Sequence, residues 1–174
     1  MDTVIDLLKI LLPAGAVFAA AYLIVKRFLD NERDRRELEN KRQNQAAVTP
    51  LRLQAYERIV IFLERINPSA LVVRVGRNGL NAQQFQLELI KAIKAEYEHN
   101  LSQQIYMSYN AWELVKTTKE EIIKLVNITS TKVPHESPAN DLALAILNIS
   151  GSLGKKLPND VALEFIKKEV RGIF

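Results

Sequence analysis

Two histidines, His99 and His135, and no cysteine bound the nucleophilic and metal chemistry open to this 174-residue chain. His99 closes Glu96-Tyr97-Glu98-His99, an E-x-x-H spacing that puts a carboxylate and an imidazole on one helix face. Di-iron carboxylate sites use that spacing, but they need a second copy and two further glutamates on facing helices. His135 sits in the proline-flanked loop Pro134–Pro138 with no glutamate three residues before it. The constellation is half built, so a surface or helix-end His99 outweighs a metal ligand.

Phosphate and acyl chemistry fare no better. Gly76-Arg77-Asn78-Gly79 is too short for a phosphate loop, and neither G-x-x-x-x-G-K-[ST] nor G-x-G-x-x-G occurs. Gly151 to Gly154, followed by Lys155 and Lys156, has the look of one without a strand before it. No serine has a histidine at a spacing recognisable for nucleophilic work. The residues meet no catalytic checklist. No catalytic, cofactor-binding or metal-binding residue is assigned, and the chain reads as a non-enzyme.

Charge narrows the partners. The net charge is +4 and the pI about 9.3. Residues 1–42 hold eight Lys/Arg against seven Asp/Glu, leaving sixteen against thirteen for the remainder. Nucleic-acid binders carry a clustered basic face, so that partner class is disfavoured. The one candidate cluster is Arg52, Arg58, Arg65, Arg74 and Arg77. The absence of cysteine excludes disulfides and thiol chemistry and fits a reducing compartment.

The elements that must position these groups begin with the most apolar stretch, Val4 to Val25. Its 22 residues would span about 33 Å as a helix, enough for a bilayer core of roughly 30 Å. Asp6 and Lys9 fall in its first two turns, and Pro13 is tolerated in a membrane helix. A cleaved signal peptide would carry its positive charge before the apolar core, whereas here it follows. A buried helix of a soluble core does not explain apolarity on every face. The expectation is a retained transmembrane helix after a short periplasmic tail, residues 1–3.

"KRFLDNERDRRELENKR", residues 26–42, packs twelve charges into seventeen positions. Lys26, Arg27, Arg33, Arg35 and Arg36 form a positive flank, which orients the N-terminus out and the remainder into the cytoplasm. Glu32–Arg36 and Glu37–Lys41 pair at i,i+4, with Asp30–Arg33 and Glu39–Arg42 at i,i+3. The run reads as a charged helical stalk over 26–45 rather than a recruiter of anionic lipid, since its acids nearly cancel its bases. Gly15, Ala16, Ala19 and Ala20 offer a small-residue contact face within the anchor. The sequons at Asn127 and Asn148 would lie in the cytoplasm and are read as chance.

Residues 46–50, ending at Pro50, read as a hinge. Beyond it, 51–174 reads as a cytoplasmic head of about five helices. Tyr56, Ile59, Phe62, Leu63 and Ile66 share one face before Asn67-Pro68 stops that helix. Residues 71–75, "LVVRV", are a brief strand or an extended connector. Asn81 caps a helix facing inward with Phe85, Leu89, Ala92 and Ile93. A long helix near 109–129 buries Trp112, Val115, Ile122 and Val126. "NDLALAILNI" is apolar nearly all round and should be the most buried helix. The last helix turns Phe165, Ile166 and Val170 inward, and the C-terminal "GIF" tucks into the head or serves as a docking tail.

Three stretches, "PLRLQAYERIVIFLERINP", "EYEHNLSQQIYMS" and "AWELVKTTKEEIIKLVN", together with the apolar N-terminus, carry a likeness. The chain resembles a family of uncharacterised bacterial membrane-anchored proteins. The resemblance implies a bacterial inner membrane and no chemistry.

The reading is an all-α, single-pass inner-membrane protein without enzymatic activity, an accessory subunit or scaffold for other membrane proteins or copies of itself. Tyr97, His99, Gln103, Gln104 and Tyr106 are the candidate head contacts, because polar residues crowd this helix junction. The alternative is a membrane-tethered binder of nucleic acid or anionic lipid through the arginine face. A metalloprotein using His99 and Glu96 comes third.

Overall fold

A computed structural model describes the backbone of residues 2–76, 78–152, 154 and 156–172, and side chains among these from Gly15 onward. The described elements are helices: α1 (Asp2–Arg65), α2 (Pro68–Arg74), α3 (Ala82–His99), a 3-10 helix (Leu101–Tyr106), α4 (Tyr109–Ser130), α5 (Ala139–Ser152) and α6 (Pro158–Arg171). The all-helical expectation stands. The chain divides into two compact units, Met1–Thr49 and Pro50–Phe174.

In the first unit, α1 exposes Val17, Phe18, Tyr22, Leu23, Ile24, Val25, Phe28 and Leu29. Among the described residues no helix is long and apolar enough to cross a membrane. This corrects the transmembrane helix expected over 4–25. The single-pass inner-membrane location and its orientation go with it. Residues 4–14 of that span lie outside the described side chains. What is left, Gly15–Val25, is eleven residues before Lys26 and Arg27 interrupt, about 16 Å of helix against a core of roughly 30 Å.

The charged run is helical. Glu32–Arg36 closes at 3.0 Å and Glu37–Lys41 at 2.6 Å, as the spacing expects. Arg35 reaches forward to Glu39 at 3.1 Å. The guanidinium of Arg35 is thereby held above its ordinary pKa, first by the hydrogen bond to Glu39 and then by the charges of Glu39 and Glu32. Each pair is exposed, so solvent and salt screen it and each contributes little to the helix. Residues 46–50 are also helical, within α1.

The second unit is built around the last turns of α1. Tyr56, Ile59, Phe62, Leu63 and Ile66 are fully buried, as are Phe85, Leu89 and Ile93 of α3 and Val115 and Ile122 of α4. Helix α4 packs against α3, α5 and α6, while α5 also meets α2 and α3. The inward faces of α1, α3 and α4 are those the 3.6-residue period marks.

Residues 71–75 are not a strand: α2 covers Pro68–Arg74, and only Val75 is extended. The Asn67 side chain accepts from the Ser69 N–H at 3.1 Å, and Pro68 takes the first helical position. A proline there starts a helix as readily as it ends the previous one, and the capped start overrides β-branched propensity. After α2 the chain turns at Gly79, whose φ of +75° favours glycine.

Asn81 caps α3 reciprocally: its side chain accepts from Gln84 N at 2.9 Å, and Gln84 Oε1 accepts from Asn81 N at 3.1 Å. The 134–138 loop docks on this start through Ala82 N to Ser137 O (2.8 Å) and Gln83 N to His135 O (3.2 Å). His135 thus contributes a backbone carbonyl to the fold.

Helix α5 is not the most buried. Leu142, Ala143 and Ile146 are inside, but Leu144 is 59% exposed, and α4 buries more side chains. In α6, Ile166 is buried beside Ala162 and Leu163, the i−4 and i−3 positions of its face, while Phe165 remains 38% exposed at the edge of that face. The final Ile173 and Phe174 lie outside the described residues, as do Leu153, Lys155 and Arg77.

Candidate functional site

The junction of α3, the 3-10 helix and α4 gathers most of the polar residues singled out above. Asn100 ends α3 by folding its amide back onto the Glu96 carbonyl at 2.8 Å. Its own carbonyl accepts from Gln103 N at 3.0 Å, which starts the tighter helix. Ser108 then caps α4 by accepting from Ala111 N at 3.1 Å.

This geometry sorts the five candidate contacts. Tyr97 is half-buried, stacked on Trp112 with centroids 5.6 Å apart and tilted against Phe62 at 6.1 Å. The ammonium of Lys119 stands 4.2 Å above the Tyr97 ring centroid, a cation–π contact. Tyr97 therefore seals the core edge. Gln103 is buried and donates to Ser102 Oγ at 3.1 Å. Tyr106 is half-buried, and its carbonyl accepts from Arg52 Nε at 3.3 Å. Only His99 and Gln104 face solvent.

What the polar reading missed is apolar. Ile105 is 76% exposed and Tyr109 77%, with Leu101 also exposed. A 3-10 helix repeats every three residues, so the 3.6-residue period gives no warning of which side chains it displays.

The arginine cluster divides. Arg58 and Arg65 line a groove of about 510 Å³ between α1 and the end of α3, Arg74 pairs with the Glu96 of that lining, and Arg52 is held at Tyr106. Arg77 lies outside the described residues. In the groove Glu96 Oε1 accepts from Arg65 Nε at 2.8 Å and pairs with Arg74 Nη1 at 3.3 Å. Nη2 of Arg58 faces Nε2 of His99 at 3.3 Å. The E-x-x-H pair is thus surrounded by guanidinium groups, which compete with any cation for the same lone pairs. No cluster of three or more His, Asp or Glu side chains suited to a metal occurs among the described residues.

A family model matches residues 2–173, and its description reads "Family of unknown function (DUF7935)". The chain belongs to this family. No curated protein and no solved structure matches it. Membership in DUF7935 spans both compact units, and its printed description assigns no chemistry.

The remaining candidates in this DUF7935 chain lie on α1. Gly15, Ala16, Ala19 and Ala20 are exposed, and a Cβ on Gly15 would meet nothing within 4 Å. Lys26, Arg27 and Arg33 are exposed, while Arg35 and Arg36 are turned to glutamates along the helix.

Proposed function

We propose that the chain is a non-enzymatic binding protein of a bacterial cell, an accessory subunit or scaffold whose helical head docks another protein. The observation that carries this reading is the pair Ile105 and Tyr109, both more than three-quarters exposed on a backbone held from beneath. Gln103 of the 3-10 helix and Asn100 at its start are buried, and Arg52 ties its last carbonyl. A rigid display of an aliphatic and an aromatic side chain loses little conformational entropy on binding, which suits a protein contact. The groups that could otherwise react support the same reading, since Glu96 and Ser108 are engaged in structural hydrogen bonds.

The arginine-face alternative, an extended surface for nucleic acid or anionic lipid, has less support. Arg52 is turned to a carbonyl, and Glu96 offsets part of the charge that remains.

Site-specific photo-crosslinking in cells tests the proposal. A photoreactive residue at 105 or 109 should give one discrete protein adduct, and the same group at the exposed Lys91 should not. Equal, diffuse labelling from all three positions would overturn the docking corner.

A further inference from the structure

We propose that the groove between α1 and α3 binds a phosphate monoester in its dianionic form. This site lies apart from Ile105 and Tyr109 and does not depend on their role. Its walls are Arg58, Ile61 and Arg65 from α1, and Glu96, His99 and Asn100 from the end of α3.

The argument is one of unmatched charge. Arg65 and Arg74 share a single carboxylate oxygen, Glu96 Oε1, at 2.7 and 3.3 Å. Arg58 has no carboxylate within ion-pair distance among the described residues; its Nη2 instead faces the His99 imidazole. Three guanidinium groups, Arg58 and Arg65 in the lining and Arg74 paired to its Glu96, against that one carboxylate leave this cluster of four side chains at a net +2. Among the described residues Glu96 is the only acid lining the groove, and its side chain is only 18% exposed, so solvent screens this cluster less than it screens the stalk pairs.

The ligand chemistry follows. A guanidinium offers a planar fork of N–H donors that matches phosphate oxygens, and among the described residues most of the Arg58 donors are uncommitted. A dianion neutralises this cluster, whereas a monocarboxylate leaves half the excess. Ile61, half-exposed beside Arg58, gives the ester's organic group an apolar wall. Soluble phosphorylated metabolites and the headgroup of phosphatidic acid share this chemistry.

Calorimetric titration of the full chain with phenyl phosphate, using benzoate as control, tests it. Saturable binding is expected for phenyl phosphate, with benzoate much weaker. Arg58→Gln should weaken binding by roughly tenfold or more, the usual effect of losing a charge-assisted hydrogen bond. Glu96→Gln should strengthen it by freeing Arg65 and Arg74, an outcome that a misfolded variant does not produce. No saturable heat, equal binding of benzoate, or an unchanged Arg58→Gln would overturn the site. So would weaker binding by a Glu96→Gln protein whose circular dichroism matches the parent. Sedimentation with phosphatidic-acid vesicles, against phosphatidylcholine, separates the sources. Arg58-dependent pelleting identifies the lipid headgroup, and phenyl phosphate binding without it identifies a soluble ester.

Discussion

The hydroxyl of Tyr56 donates to Glu169 Oε1 at 2.5 Å, tying α1 to the last turns of α6. The same carboxylate accepts from Ser108 Oγ at 2.9 Å, and the Ser108 N–H donates to Tyr56 Oη at 3.4 Å. Tyr56, Ser108 and Glu169 thus close a ring of hydrogen bonds that sets the start of α4 against both other helices. Such networks rigidify when every member is satisfied and fail together when one is removed.

Tyr56→Phe should therefore destabilise the fold by about 1–2 kcal/mol, since Tyr56 is 1% exposed and its hydroxyl serves two partners. Urea denaturation measures this. Ser108→Ala, which removes both a cap and a carboxylate donor, should cost a similar amount but combine with Tyr56→Phe less than additively. Additive losses would show that the three residues act independently.

The same tyrosine makes stability depend on alkaline pH. Burial, and then the hydrogen bond to Glu169, raise the Tyr56 pKa above its ordinary value of 10.0. In the unfolded chain the phenol ionises first, so the unfolded state gains as pH climbs. The contribution is full below about pH 10 and is lost as pH rises through the native value. The denaturation midpoint should fall between about pH 9 and 11, and this fall should be smaller in Tyr56→Phe.

The buried faces of α1, α3 and α4 were legible because each repeats apolar residues every three to four positions. Asn81 was legible because an amide three residues before a glutamine is a capping signature. The ring of Tyr56, Ser108 and Glu169 was not, since its members are separated by more than fifty residues and no periodicity links them. Helix α2 was hidden because Pro68 was read as a stop and Leu71, Val72 and Val73 as β-formers, when one capping amide decides between them. The apolar N-terminal run passed a length criterion for a membrane span only when its first turns, with Asp6 and Lys9, were counted in. Of the candidate site, crowding of polar residues located the α3–α4 junction but not which side chains leave it. Orientation in the 3-10 helix depends on a three-residue period, and on Gln103 being drawn inside.

Asn159 supplies a further test. Its amide donates to the Leu63 carbonyl at 2.7 Å, an acceptor near the end of α1 that the Asn67 N–H bypasses in favour of Glu64. Asn159 is fully buried, and its Oδ1 has no partner among the described residues. Asn159→Ala should cost about 2 kcal/mol by orphaning Leu63 O and opening a small void. Asn159→Asp should cost more, because a buried carboxylate would face that carbonyl oxygen. Chemical denaturation ranks the two variants; an aspartate as well tolerated as the parent would show that water reaches the site.

If Ile105 and Tyr109 are displayed for a partner, they contribute little to the fold. Both are more than three-quarters exposed, so Ile105→Asp and Tyr109→Ser should each leave the melting transition within about 0.5 kcal/mol of the parent. Phe62→Ala, at a fully buried position, should cost about 3–5 kcal/mol in the same assay and sets the scale. The two surface changes should nonetheless remove the adducts formed by photo-crosslinkers placed at the neighbouring exposed positions Leu101 and Gln104. Large destabilisation by either change would place these side chains in packing rather than recognition. Retained crosslinking with an intact fold would show that the partner grips the head elsewhere. Loss of the adducts at full stability is the outcome that a docking corner requires.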